Sequence, residues 1–188
     1  MLQRAARKAG VSLSISLRSK APSRRGLLKP LNILSYRLGF SEKDLFQATA
    51  MIQASDHLEL AGINFYIGTQ QTSPNRFRPT IRKAAALAAS LHNQLGARLE
   101  EINLGGGIPS DSTLKFGLSA LSLRMRWSLP GEALHSSKQT FSRGLANIFS
   151  QELARVELPY RPRLAVEPGR SIVGDAAILV TRARVING

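Results

Sequence analysis

Apolar and polar positions alternate along this chain in two rhythms, one of helical and one of strand period. Leu45–Gln53 carries apolar residues at helical spacing. It follows Ser41-Glu42-Lys43-Asp44, where Ser41 can cap and Asp44 stands three residues on, close to a capping box. Leu58–Ile67 alternates and then becomes mostly apolar, the pattern of a buried strand. A polar loop, Gly68–Arg78, leads to Pro79, a residue suited to a first helical turn. Thr80–Leu95 is rich in Ala and Leu, and Gly96 supplies the stop. Leu99–Leu104 predicts a second strand, ending in Gly105-Gly106-Gly107. Ser136–Leu153 predicts a helix, Arg163–Val166 a third strand ending at Glu167-Pro168-Gly169-Arg170, and Ala177–Val185 a last one. The stretch Ile108–Glu132 has no clear period. Near the start, Val11–Leu17 predicts a further strand. Strands separated by helices at these spacings argue for a parallel α/β sheet or barrel.

Length and composition support a globular reading. At 188 residues, 43% hydrophobic and 20% charged, the chain can bury a core. No apolar run approaches the roughly 18 residues that span a bilayer. There is no cysteine, so disulfides and thiolate metal sites are excluded. His57, His92 and His135 are isolated from one another, and no metal is expected.

The charge is unusual: 26 Lys and Arg against 12 Asp and Glu give a formal +14. Such an excess can serve nucleic-acid phosphates. Here the basic residues are scattered, with few aromatics beside them and no helix-turn-helix, zinc or RNA-platform signature, so nucleic acid is the weakest of the readings. Residues 1–40 carry Arg and Lys and no acid, which divides them from 41–188 as a basic segment. They read either as a divergent piece of the domain or as a mitochondrial transit peptide. The first reading is favoured.

The polar and glycine-rich clusters all fall at the carboxyl ends of predicted strands, the end at which a (β/α) barrel builds its site. Gly105–Gly107 leaves backbone N–H groups unobstructed and permits positive φ, so it can wrap a phosphate or simply turn. Glu167 follows a buried strand and needs a partner. Opposite a pyridine nitrogen it would hold that nitrogen protonated, and the alternative is an internal pair with Arg170. Gly169 exposes an N–H, and Arg170 can reach a phosphate or a substrate carboxylate. Tyr66 can stack on a flat ring or pack ordinarily, and the Thr69 hydroxyl can donate to phosphate.

Gly62-Ile63-Asn64-Phe65-Tyr66-Ile67-Gly68-Thr69-Gln70, Ile102-Asn103-Leu104-Gly105-Gly106-Gly107 and Glu167-Pro168-Gly169-Arg170-Ser171-Ile172-Val173 occur in this order, followed by Leu179-Val180-Thr181-Arg182. In them the chain resembles the fold-type III pyridoxal-phosphate decarboxylases, the family of diaminopimelate, ornithine and arginine decarboxylases. The resemblance is good over 58–104 and from 163 onward and poor over 110–160. Before Phe40 it is carried by Arg37-Leu38-Gly39-Phe40-Ser41.

The resemblance implies the second half of a (β/α)8 TIM-type, alanine racemase-like barrel that binds pyridoxal 5'-phosphate. Its function would be amino-acid decarboxylation, as in lysine biosynthesis. The substrate would be a free amino acid of the diaminopimelate kind or one linked to a carrier protein. Cofactor contacts would come from Tyr66, Thr69, Gly105, Gly106, Gly107, Glu167, Gly169 and Arg170, with Arg170 also serving the substrate. Tyr66 stands where most members carry a histidine and keeps the π face without a cationic imidazolium. A homodimer and a cytoplasmic location follow from the same resemblance. The family's Schiff-base lysine is not identified among Lys8, Lys20, Lys29 and Lys43. A Cys-bearing C-terminal domain has no counterpart here, so the chain alone is expected to be inactive. The alternative is a non-catalytic barrel piece that binds pyridoxal phosphate, another phosphate or a partner protein.

Overall fold

The computed structural model describes residues 1–22, 38–68, 71–109, 114–115, 132–133, 138–173 and 176. Helix α1 (Leu2–Ala9) precedes strand β1 (Leu13–Arg18). Helix α2 (Glu42–Gln53) begins at Ser41, whose hydroxyl accepts from the Asp44 N–H at 3.3 Å, as the capping pattern predicts. Strand β2 (Leu58–Asn64) leads through a 3-10 turn (Pro74–Phe77) into α3 (Arg78–Leu95), and β3 (Glu101–Asn103) follows. Two short strands, β4 (Leu114–Lys115) and β5 (Glu132–Ala133), pair antiparallel in the stretch without clear period. Helix α4 (Lys138–Leu153), strand β6 (Arg163–Ala165) and the single turn α5 (Arg170–Val173) complete the described elements. The strand expected at 177–185 lies outside the described residues.

Strands β1, β2, β3 and β6 form one parallel sheet in chain order, each joined to the next through a helix. A doubly wound sheet reverses its strand order partway, whereas a barrel sector does not. The architecture is therefore a four-stranded sector of a (β/α) barrel. Among the described residues no helix is long and apolar enough to cross a membrane.

The alternation of β1 identifies the two faces of the sheet. Ile15 and Leu17 join the core and Leu13 is half-buried, while Ser14, Ser16 and Arg18 are exposed. Helix α3 presents Ile81, Ala84, Ala85, Ala88 and Leu91 to the core at helical spacing, each 1% exposed or less. Gly96 ends α3 in the left-handed conformation (φ 64°), as its position suggests. On α4, Phe141 meets Phe77 edge to face with ring centroids 6.0 Å apart. Glu152 ties α4 to α3: its side chain is fully buried, and both Arg78 and Arg82 reach it at 2.9 Å.

One irregularity sets the geometry of the carboxyl ends. Ile15 pairs with Leu60 but Ser16 with Gly62, so β2 carries one extra residue, Ala61, opposite β1. The bulge lies where β2 begins to pair with β3, at Gly62 and Glu101. A Cβ on Gly62 would press on the Glu101 carbonyl and lie 2.9 Å from its Cγ. Beyond the bulge the core-facing positions become Ile63, in β2, and Phe65, just past its end, both fully buried. This explains why the sequence pattern alternates at Leu58 and Leu60 and then loses its phase.

The N-terminal helix was not expected from the sequence. It buries only Ala6, ends in left-handed Gly10 (φ 67°) and carries Arg7 and Lys8 in its last turn, where cations suit the helix dipole.

Candidate functional site

At the carboxyl end of the sheet, Arg18, Asn64 and Asn103 are cross-strand partners in register, and Ala165 is the next partner in the row. Register partners in a sheet share a face, and here that is the face β1 leaves exposed. Glu167, two residues beyond Ala165, continues the row. Strands β1, β2 and β3 each end on a polar residue, and β6 is followed two residues on by Glu167.

These groups form a hydrogen-bonded chain. Arg18 Nε donates to Asn64 Oδ1 at 2.7 Å, and Asn64 Nδ2 donates to Glu167 Oε1 at 3.1 Å. From the other side Asn103 Nδ2 donates to the same Oε1 at 3.1 Å, while Asn103 Oδ1 accepts the Gly105 N–H at 2.8 Å. Both amides are thus oriented by a fixed donor at their oxygen end. Among the described residues Glu167 Oε2 has no partner.

The glycine triplet is clamped between two loops. Glu167 N–H donates to the Gly105 carbonyl at 2.9 Å, and Gln71 N–H to the Gly107 carbonyl at 2.7 Å. Gly105 (φ 67°) and Gly107 (φ 91°) have left-handed backbones, and a Cβ on either would collide with the carbonyl of Phe65 or Gly68, respectively. A Cβ on Gly106 would lie 3.3 Å from the Glu167 carbonyl. Glycine at 105 and 107 lets the loops after β2 and β3 approach so closely, while at 106 a side chain would need a small shift of the Glu167 carbonyl. Within the described residues, the N–H groups of Gly106 and Gly107 have no partner.

Tyr66 is half-buried at this end of β2, with its Cα 3.8 Å from where a Gly105 Cβ would stand. Gly169 (φ 34°) lies in the turn after β6, closed by the Ser171 hydroxyl donating to the Pro168 carbonyl at 2.9 Å. Of the site residues expected from the sequence, Tyr66, Gly105, Gly106, Gly107 and Glu167 therefore gather at one end of the sheet, with Gly169 beside them. Thr69 and the Arg170 side chain lie outside the described residues, as does 179–182. Sequence reasoning passed over Arg18, Asn64 and Asn103. Their signal was present: a polar residue at the last position of a strand, two residues before Lys20, Tyr66 and Gly105.

The donor set suits a particular kind of molecule. Unpaired backbone N–H groups in a cradle with no room for a Cβ fit a phosphate. A carboxylate whose second oxygen is free fits the protonated nitrogen of a pyridine ring. Pyridoxal phosphate carries both features.

The family model for the pyridoxal-dependent decarboxylase, pyridoxal binding domain, matches residues 2–174. The chain belongs to this family. Among curated pyridoxal-dependent decarboxylases, it is 29% identical to the diaminopimelate decarboxylase of Methanothermobacter thermautotrophicus over 128 residues, 68% of this chain and 26% of that one. It is 26% identical to the diaminopimelate decarboxylase of Actinosynnema pretiosum over 157 residues, 80% of this chain and 30% of that one. The crystal structure of the M. jannaschii diaminopimelate decarboxylase in co-complex with L-lysine superposes with a TM-score of 0.65 at 19% identity. It covers 91% of this chain and 36% of the other. The decarboxylase barrel is thus the fold, and pyridoxal phosphate is the cofactor the family implies. The chain spans about a third or less of the length of these relatives.

Proposed function

We propose that this chain supplies the phosphate-binding and ring-nitrogen-facing side of a site that decarboxylates an amino acid with pyridoxal phosphate. The observation that carries the reading is the pairing of a carboxylate, held at Oε1 by two amides and without a partner at Oε2 among the described residues, with the glycine cradle next to it. When bound, pyridoxal phosphate supplies an electron sink for the pair left behind as CO₂ departs. Glu167 Oε2 would hold a proton at the ring nitrogen. The Gly106 and Gly107 N–H groups would bind the phosphate, joined by the Thr69 hydroxyl and the Arg170 guanidinium, with Arg170 also serving the substrate carboxylate. Tyr66, next to Gly105, would cover the ring and exclude water from one face.

The relatives favour a diamino acid of the diaminopimelate kind as substrate, and in the complete enzyme we infer a homodimer. We assign none of the chain's lysines to covalent capture of the cofactor. Lys8, Lys43 and Lys138 lie on helices. Lys83 donates its Nζ to the Lys20 carbonyl at 2.7 Å, and burial pushes its pKa down. The isolated polypeptide is accordingly expected to bind the cofactor without releasing CO₂.

The test is an absorbance titration of the purified chain with pyridoxal phosphate, repeated after borohydride and with Gly106→Val. Saturable binding, lost in the variant and leaving no reduced lysine adduct, is the expected result. Failure to saturate would overturn the cofactor site, and CO₂ release by the pure chain would overturn the assignment of its lysines.

A further inference from the structure

Resting on that reading, we propose that Arg18 is a positioning residue for Glu167 and that it acts through Asn64. The argument begins with where Arg18 does not go. A guanidinium close to a carboxylate ordinarily pairs with it directly, in a charge-assisted and often bidentate contact. Here Arg18 makes no ion pair among the described residues. Its Nε is spent on the Asn64 amide oxygen, and Asn64 alone touches Glu167 from that side. The interposed amide carries geometry from one charged group to the other while keeping the guanidinium off the carboxylate. Direct pairing would occupy the oxygens that the ring nitrogen needs.

Asn64 requires such a partner. An amide has a donor end and an acceptor end of nearly equal shape, and turning it over would set Oδ1 against Glu167 Oε1, two acceptors facing each other. The Arg18 N–H forbids that orientation, because it can be satisfied only by Oδ1. Asn103 is fixed in the same sense by a backbone donor, the Gly105 N–H. One amide is thus set by the main chain and the other by a side chain, and both bring an N–H to the same carboxylate oxygen. Oε1 is saturated by this arrangement and Oε2 becomes the oxygen available to the cofactor. The arrangement depends on Arg18 and Asn64 being register partners.

The decisive experiment uses the full chain saturated with ¹⁵N-labelled pyridoxal phosphate and reads the ring-nitrogen resonance, which reports protonation directly. In the wild type a protonated nitrogen is expected. Arg18→Met and Asn64→Leu should each move the resonance toward the unprotonated position and weaken binding about fivefold to tenfold, the ratio one ordinary hydrogen bond represents. The double variant should be no weaker than either single one, since both remove the same link. Arg18→Lys, which keeps a donor, should retain most of the wild-type signal. A wild-type resonance in Arg18→Met, or losses that add in the double variant, would overturn the proposal.

Arg18 is exposed and Asn64 is buried, so Arg18→Met decides the matter if Asn64→Leu does not fold. Should the wild type bind no pyridoxal phosphate, the cofactor reading fails separately. The link itself is then read in the free protein from the Asn64 side-chain amide protons. Slow exchange that becomes fast in Arg18→Met supports it, and unchanged exchange overturns it.

Discussion

Glu152→Gln isolates the electrostatic tie between α3 and α4. The carboxylate has no exposed side-chain surface, and it receives Arg78 Nη1 at 2.9 Å, Arg82 Nε at 2.9 Å and Arg155 Nη1 at 3.6 Å. The Arg82 hydrogen bond, followed by that of Arg78 and the charges of Arg155 and Arg82, holds its pKa down at about 2 against the opposing effect of burial. A fall from 4.5 to about 2 corresponds to ~3 kcal/mol. The three arginine side chains are 31%, 58% and 61% exposed, so solvent screens their attraction and about 2 kcal/mol is the better expectation.

The sign follows from the folded pKa lying below the unfolded one. The stabilisation is complete well above pH 4.5 and is lost as the pH falls through 2. Urea unfolding of wild type and Glu152→Gln at pH 7 should differ by about 2 kcal/mol, since the amide keeps a hydrogen-bond acceptor but no charge. At pH 3 the difference should shrink to less than half. A difference that is the same at both pH values would refute the electrostatic account and leave packing as the cause.

Glycine substitutions should separate backbone strain from collision. Gly96→Ala meets nothing within 4 Å and should lose about 1 kcal/mol in thermal unfolding through its left-handed φ alone. Gly107→Ala adds a collision with the Gly68 carbonyl, and it should lose more stability and abolish pyridoxal phosphate binding in the same titration. Phe141→Ala removes the ring packed edge-on against Phe77 and should cost about 3–5 kcal/mol by urea unfolding, against clearly less for Phe141→Leu. Ser41→Ala should cost about 1 kcal/mol by the same measurement, because the Asp44 N–H loses its acceptor.

The elements legible in the sequence were those whose signal is local. Helix α3 declares itself through its alanines and Gly96, α2 through Ser41, and the strand ends through glycine and Glu167. The structure trims rather than moves them: the strand read as Leu58–Ile67 ends at Asn64, and Leu99–Leu104 contracts to Glu101–Asn103. Helix α1 was missed although Leu2, Ala5, Ala6 and Ala9 recur at helical spacing, because three of the four are alanines and only Ala6 is buried. The 3-10 turn at Pro74–Phe77 was hidden in a polar stretch, where buried Phe77 gave the one hint. The network around Glu167 was illegible for a different reason. Asn64 and Glu167 are 103 positions apart, and only the folded sheet brings them together. The Glu152 cluster likewise joins residues 70 and 74 positions apart.

The single extra residue in β2 acts as a half-cycle slip in the strand's wave. Were Ala61 paired with Ser16 in a regular ladder instead of bulging, the carboxyl half of β2 would run out of step with β1. Asn64 would then turn toward the helices while Ile63 faced the mouth, and Arg18 would lose its amide. Deleting Ala61 should therefore leave Arg18 opposite Asn64, whereas inserting one residue between Ala61 and Gly62 should erase the site as thoroughly as removing Glu167, while leaving every motif in the sequence intact. What distinguishes this site from a string of matching letters is a matter of timing along one strand, set three residues before the first group that uses it.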